Sequence, residues 1–360
     1  MDARTLGERI AAARRDLDLT QHHLASRAGL ERTALGRIEA GERKVSAVEL
    51  VDLANALDAP LAWFVRDPLP AVVSRRTDAS PQHEVTAKLD RELELFSGDI
   101  ADLLARGVIG TLPERPKWRV PQHHTESEQT AMEVRARLGA GSGPLHDIAA
   151  AAESFGLFSA SLALGDGGAD GALVEVVSGA GAAVIDGDPR SGRRRMSLAH
   201  ELGHWLFGDA YDAGASDTER MIKSFAVHLL APRAGVVKVW AQDSKENLRD
   251  CAIRVAGSFR LSWSAAIPHL LHLDLITEQQ RRELLQVTPV PGEFVKLRLA
   301  LNTEELSAPS LSPGLTSSIL SAYVDRRITG PRAVELLRGQ LAEADLPPRR
   351  AETAIDFASP

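Results

Sequence analysis

The run Met196-Ser197-Leu198-Ala199-His200-Glu201-Leu202-Gly203-His204-Trp205-Leu206-Phe207 constrains the fold more than any other stretch of the chain. Its two histidines stand four residues apart, and residues i and i+4 share one face on an α-helix. On a helix, His200 and His204 direct two imidazoles at one point, with Glu201 projecting beside them. That set suits a metal ion flanked by a base that can take a proton from an activated water. Leu198, Leu202, Trp205 and Leu206 supply the apolar remainder, so other elements must cover this helix. A catalytic zinc takes three protein ligands and keeps one position open. Glu219, Asp217 and His228, on or near the next helical stretch, are candidates for the third, and spacing alone does not choose among them. The lone cysteine, Cys251, excludes a disulfide framework and a Cys-rich zinc finger, which leaves histidines and carboxylates as ligands. Cys251 itself sits in an apolar helical run and is expected in the core.

The chain has 360 residues, 44% of them hydrophobic, enough for two or three domains with real cores. Helical spacing of apolar residues predicts short helices from residue 1 to about 66, punctuated by Gly29 and Gly41. A Pro-rich polar stretch at 67–83 reads as a linker, 84–107 as a helix, and 113–121 as a second Pro-rich break. Helices return near 126 and at 144–155. Between 157 and 185 lie β-prone runs, Leu173 to Val177 and Ala182 to Ile185, separated by Gly-rich turns. Those turns lack the Gly-Lys-Ser/Thr ending of a phosphate loop. Further helices are predicted at 193–207, 216–230, 245–286 and 316–344, with a strand candidate at Phe294 to Leu301. Four segments follow: 1–66, 67–125 as linker and helical spacer, 126–276 around the His-Glu-Leu-Gly-His run, and 277–360, mainly helical. The expected class is α+β and mostly helical, an all-α N-terminal domain preceding one with a small β-sheet. No apolar run approaches the ~20 residues of a membrane span, and no apolar signal core follows Met1, so a cytoplasmic protein with no membrane partner is expected.

A formal charge of −7 argues against coating nucleic acid through bulk charge and leaves room for a local surface. Thr20-Gln21-His22-His23-Leu24-Ala25 begins a helix with Thr20 as N-cap; Gly29 turns, and Glu31 to Ile38 forms the next. The pattern Leu19-Thr20-Gln21, Leu24-Ala25, Ala28-Gly29-Leu30, Leu35, Ile38-Glu39, Gly41, then Leu50, Leu53 and Leu57, resembles the Cro/C1 or XRE family of helix-turn-helix repressors over about the first 65 residues. The resemblance implies that the second helix of the pair enters the major groove of DNA. It makes Arg32 and Thr33 the base-edge candidates, and Gln21, Arg37 and Arg43 the phosphate contacts. Residues 27–44 carry a net charge of only +2, a thin basic footprint. Operator binding is therefore expected through a homodimer, which doubles the phosphate contacts.

The segment from Glu219-Arg220-Met221-Ile222-Lys223-Ser224-Phe225-Ala226 through Leu229-Leu230-Ala231-Pro232 resembles the E-x-x-A-x-x-F-A-x-x-L-L-x-P signature of the ImmA/IrrE metallopeptidases. Their H-E-L-G-H helix is matched by residues 200–204, and their arginine-rich lead by Arg193 to Arg195. The resemblance spans about Glu126 to Ile276. It implies a zincin-like domain binding Zn2+ through His200, His204 and Glu219, with Glu201 as general base. Its implied substrate is a repressor or antitoxin-like protein, cut to switch on a stress or mobile-element response. Ile222 and Lys223 replace the family's Ala and Asn, which bears on local packing. Tyr211, His228 and Arg233 are candidate donors to the oxyanion, and Asp217 a candidate to orient a metal ligand. Two further readings compete: a transcriptional regulator whose peptidase-like domain senses or binds a partner without cleaving it, and an antitoxin-type protein that binds a toxin and represses its own operon. The other histidines, among them His22-His23, His123-His124, His269 and His272, are joined by no carboxylate cluster and read as surface or core residues.

Overall fold

Caps start the first helices where the sequence places them in this computed structural model, which describes residues 2–65, 74–77, 83–165, 169–208, 216–242, 247–301 and 304–350. Asp2 accepts the Thr5 N–H at 2.8 Å and opens α1 (Ala3–Asp16). Thr20 accepts the His23 N–H and opens α2 (Gln21–Arg27). Gly29, at φ +65°, supplies the left-handed turn into α3 (Arg32–Glu39). A Ser46–Glu49 capping box opens α4 (Ala47–Ala56), and α5 (Leu61–Val65) follows. Their inward residues, including Ile10, Leu24, Leu35, Ile38, Leu53 and Phe64, form one buried core. There α1 meets α3 so closely that a Cβ on Gly7 would stand 2.3 Å from the Ile38 carbonyl oxygen.

The rest of the chain builds a second core around a mixed sheet. In order come β1 (Ser74–Thr77), α6 (His83–Ala105), α7 (His124–Arg137), α8 (Ile148–Glu153), β2 (Leu157–Leu162), β3 (Ala169–Val177), β4 (Ala180–Asp186), α9 (Ser191–Phe207), α10 (Ser216–Leu230), α11 (Arg233–Trp240), α12 (Leu248–Phe259), α13 (Trp263–His272), α14 (Glu278–Gln286), α15 (Pro291–Lys296), β5 (Ser310–Leu311), α16 (Pro313–Val324) and α17 (Gly330–Leu336). The strand order is β1-β3-β4-β2-β5, with β2 and β4 parallel and the other pairs antiparallel. Every residue of β2 and β4 is buried, so both faces are covered. The covering helices are α6 on β3 and β4, and α8 with α9 on β2, β3 and β4. Against the sheet lies Trp205, whose ring would come within 2.8 Å of a Cβ on Gly181. Its indole N–H donates to the Phe155 carbonyl at 2.8 Å.

The architecture is α+β and mostly helical, as the sequence predicts, and the β-prone runs fall in β3 and β4. Several elements differ from expectation. Within the expected linker, residues 74–77 form a strand that pairs with β3. The expected spacer helix, α6, contributes Leu93, Phe96 and Ile100 to the second core. It also seats the N-terminal helices, since Glu94 accepts from the Trp63 indole at 2.7 Å and ion-pairs with Arg9. The C-terminal helices add Leu315, Ile319 and Leu336 to the same core, and Arg338 bridges Glu92 and Asp99 of α6 at 2.9 and 3.0 Å. The strand expected at Phe294 to Leu301 does not form: Phe294 to Lys296 end α15, and residues 297–301 are turn and irregular chain. Pro291 presets the first helical φ of α15, and Glu293 accepts the Val290 N–H. Cys251 is half-buried on α12 rather than in the core. No described helix is long and apolar enough to cross a membrane.

Buried charge helps to hold α9 to the rest. Arg195 is fully buried, ion-pairs with Glu305, and donates to the Leu145 carbonyl at 2.7 Å. Arg195→Met keeps most of the volume but strands that carbonyl and one side of Glu305. It should cost about 3 kcal/mol in a urea titration. A cost below about 0.5 kcal/mol would show that α9 is held by apolar packing alone.

Candidate metal centre and nucleic-acid interface

The metal-ligand geometry rests on how firmly α9 is fixed. At its first turn Arg193 pairs with Asp170 of β3 at 2.7 Å, and Arg194 donates to the carbonyls of Gly187 and Glu305, each at 3.0 Å. At its far end Gly208, at φ +65°, stops the helix. Between them, residues 197–207 are all buried. The i, i+4 spacing then sets His200 and His204 side by side, with ring centroids 4.8 Å apart and Nε2 atoms 3.1 Å apart.

The helix α10 brings the third group. Glu219, in its first turn, places Oε2 at 3.2 Å from His200 Nε2 and Oε1 at 3.2 Å from His204 Nε2. Hydrogen bonding to His200, and next to His204, holds its carboxyl well below the usual carboxylate range, so it is ionised. One ligand atom from each of the three lies within 4.8 Å of the others. Among the described residues, this cluster can hold a metal ion. Two imidazoles and a carboxylate suit zinc, and tetrahedral ligands about 2.0–2.1 Å from an ion stand roughly 3.3 Å from one another, close to the spacing seen. The histidines are buried while the Glu219 side chain is 44% exposed, so solvent reaches the cluster from the α10 side.

Glu201 is also fully buried, and it lies against β3. A Cβ on Gly171 would stand 3.5 Å from its Oε1. On the other side of β3, the β1 backbone pairs antiparallel with this stretch, Arg76 opposite Gly171 and Arg75 opposite Ala172.

Three expected accessory groups do not join the cluster. Asp217 has an 81% exposed side chain and pairs with Arg220 at 2.8 Å. Arg233 is held by both carboxylate oxygens of Glu128, at 2.8 to 3.1 Å. His228 follows Glu219 by nine residues, which is half a turn round the helix and about 13.5 Å along it. It packs instead against His269 and His272, a grouping that no sequence spacing signals because it joins α10 to the distant α13. Tyr211 lies outside the described residues.

In the N-terminal domain, Arg32, Thr33 and Arg37 are exposed along α3. Gln21 is half-buried and donates to Glu39 at 2.8 Å, and Arg14 also pairs with Glu39, tying α1 and α2 to α3. Arg43 pairs with Glu49 at 2.6 Å. A family model described as helix-turn-helix, of the XRE type, matches residues 10–64. The N-terminal part is therefore a DNA-binding helix-turn-helix domain of a regulator. The chain matches no curated protein.

The departure at Ile222 has a structural counterpart. Where α9 crosses α10, a Cβ on Gly203 would come within 2.8 Å of Ile222 Cγ2 and 3.1 Å of Phe225 Cδ1. Gly203→Ala should therefore lower stability by about 2 kcal/mol through overpacking. Ile222→Ala alone should cost more, through its cavity. The double variant should lose clearly less than the sum, and strict additivity in thermal melts would mean that the two sites do not touch.

Proposed function

We propose that the protein is a DNA-binding zinc endopeptidase that cuts a repressor or antitoxin-like protein and so controls transcription. The observation that carries this reading is the meeting of His200, His204 and Glu219, with Glu201 next to His200 in the chain and buried against β3. The three ligands hold Zn2+, as in the ImmA/IrrE metallopeptidases that residues 126–276 resemble. When bound, zinc supplies a Lewis acid that polarises the scissile carbonyl and acidifies water. Glu201 accepts the proton of the attacking water on its carboxylate and passes it to the departing amine. A binding site alone has no need of a second carboxylate in that place. The peptide is taken in extended form along β3, the strand that touches Glu201, in the place that residues 74–77 hold in the free chain.

A second reading, a regulator whose peptidase-like domain senses or binds a partner without cutting it, is favoured by one observation. The chain's own segment 74–77 already occupies the edge of β3 beside Gly171. A partner that adds to this edge displaces that segment, and the displacement alone carries a signal to the DNA-binding domain. Glu201→Gln separates the two. In the peptidase reading the variant keeps the zinc of the His200, His204 and Glu219 centre and its operator affinity, loses cleavage of a trapped partner at least 100-fold, and loses the cellular response (a general base being worth about 10²–10⁴). An unchanged response in the variant leaves the sensor reading standing.

On DNA, α3 enters the major groove, with Arg32 and Thr33 at base edges and Arg37 on phosphate. Gln21 and Arg43 contact the backbone by exchanging Glu39 and Glu49 for phosphate. The thin basic footprint makes a homodimer the binding form. Arg37→Ala should weaken binding to all sequences alike and reduce the salt slope of the affinity by about 1 per protomer. Arg32→Ala should instead relax discrimination at one base pair. A variant pair with identical salt slopes and identical specificity profiles would place α3 outside the groove.

A further inference from the structure

Four histidines meet where α7, α10 and α13 pack together: His124 at the start of α7, His228 near the end of α10, and His269 and His272 in the last turn of α13. The His228 ring centroid is 4.7 Å from that of His269 and 5.5 Å from that of His272, with interplanar angles of 81° and 71°. His124 stands 4.8 Å from His272. The paired ligands of the first centre show the same spacing and tilt, 4.8 Å and 74°. Imidazoles whose nitrogens share an ion at about 2.0–2.1 Å have centroids roughly 5 Å apart.

The hydrogen bonding of these rings is incomplete in a way that points to a ligand. His228 is 1% exposed, yet neither of its ring nitrogens has a hydrogen-bond partner. A neutral imidazole has one donor and one acceptor, and burying both unsatisfied is a marked exception in folded proteins. His269 Nε2 lies 2.8 Å from the Ala231 carbonyl, which can only accept, so Nε2 carries the proton. Its Nδ1 then presents a lone pair, and that atom too is buried without a partner. His124 engages Ser224 Oγ through Nδ1 at 2.9 Å, leaving Nε2 for a ligand. A hydrogen bond on one ring nitrogen and a metal on the other is the usual state of a ligating histidine. Burial, aided by the neighbouring imidazoles, pushes His228 down to about 2 and His269 down to about 4, so both rings are in the neutral, ligating form.

We propose that His228, His269 and His272, joined by His124, form a second binding site for a divalent late transition-metal ion. All-nitrogen ligands select zinc, copper(II) or nickel(II) over calcium and magnesium. Among the described residues, three ligand atoms lie within 4.8 Å of one another at the first centre only, so loading the second requires a ring to turn about its Cβ–Cγ bond. No hydrogen bond holds the His228 ring against that turn. The nearby cations are already matched: Arg233 by Glu128 and Arg220 by Asp217. His272 is exposed and His124 half-buried, which gives the ion a way in. The site clamps the C-terminal end of α10, the helix whose first turn carries Glu219. It does not depend on the peptidase reading.

The test is calorimetric titration of zinc into the untagged, chelator-stripped full chain, repeated with copper(II) under electron paramagnetic resonance. Wild type should take two equivalents, His204→Ala one, and His272→Ala one. His272→Ala should also lose the multi-nitrogen hyperfine pattern of the second copper. As His272 is exposed, its loss spares the fold, and His269→Gln offers a second route to the same loss. A wild-type stoichiometry of one that His204→Ala abolishes and His272→Ala leaves unchanged overturns the proposal. So does a stoichiometry of two that neither His272→Ala nor His269→Gln reduces, which would assign the second ion to surface histidines. Failure of the first centre reads differently, as a His204→Ala stoichiometry equal to wild type.

Discussion

The structure depends on keeping a fully enclosed helix polar. Residues 197–207 of α9 are all buried, and among them are two imidazoles and a carboxylate, with two buried guanidinium groups just upstream. Desolvating such groups is tolerable only if each finds a partner. The arginines find theirs in carbonyls and in Glu305, which are contributed by loops far apart in sequence. Their need for partners draws the segment around 305 and the turn after β4 onto the helix, so the C-terminal region closes over the sheet. The histidines turn the other way, to Glu219, and that fixes the register of α10 on α9. One set of buried polar groups thus organises both the scaffold and the cluster it supports.

Close approach is the second condition, and glycine meets it at the points where it counts. Gly203 lets α10 come near enough for Glu219 to span His200 and His204, with Ile222 and Phe225 filling the space a side chain would take. Gly171 leaves room on β3 for the Glu201 carboxylate, and Gly181 for the face of Trp205. A side chain at Gly203 would press on Ile222 and Phe225 and so on the helix that carries Glu219. Interiors packed to crystal density pass such shifts on instead of absorbing them.

What the sequence makes legible follows from the range of each interaction. His200, Glu201 and His204 are local to one helix, and the i, i+4 rule places them without knowledge of the fold. The cap at Thr20 and the turn at Gly29 are equally local, so the helix-turn-helix is readable residue by residue. Glu219 needed the resemblance, because neither spacing nor charge separates it from Asp217; the structure separates them by face, one turned to the imidazoles and the other to solvent. The pairing of β1 with β3 and the gathering of His124, His228, His269 and His272 depend wholly on tertiary contacts between remote segments. No periodicity encodes them. The α15 segment misled for a different reason: alternating apolar residues from Phe294 onward mimic a strand, but Pro291 and Glu293 begin a helix before that pattern can act.

The two halves of the molecule meet through one helix, and the chemistry of that junction bears on how they communicate. Trp63, Arg9 and Asp16 of the N-terminal domain engage Glu94 and Arg91 of α6 through an indole hydrogen bond, ion pairs and cation–π stacking. The same helix packs on β3 and β4 and is pinned from its other side by Arg332 and Arg338. The helix α6 is thus in contact with the sheet on one hand and with the base of the helix-turn-helix on the other. The chain offers a second connection in β1, which lies between the two parts in sequence and on the edge of β3 in space. Its four residues make a short pairing, and short edge strands are easily exchanged for another. The strong contact keeps the DNA-binding domain seated, while the weak one is the element a competing strand can replace. Under the partner-binding reading proposed above, regulation acts on the edge of β3, where a change near Glu201 is also a change in the segment that joins the DNA-binding domain to the sheet.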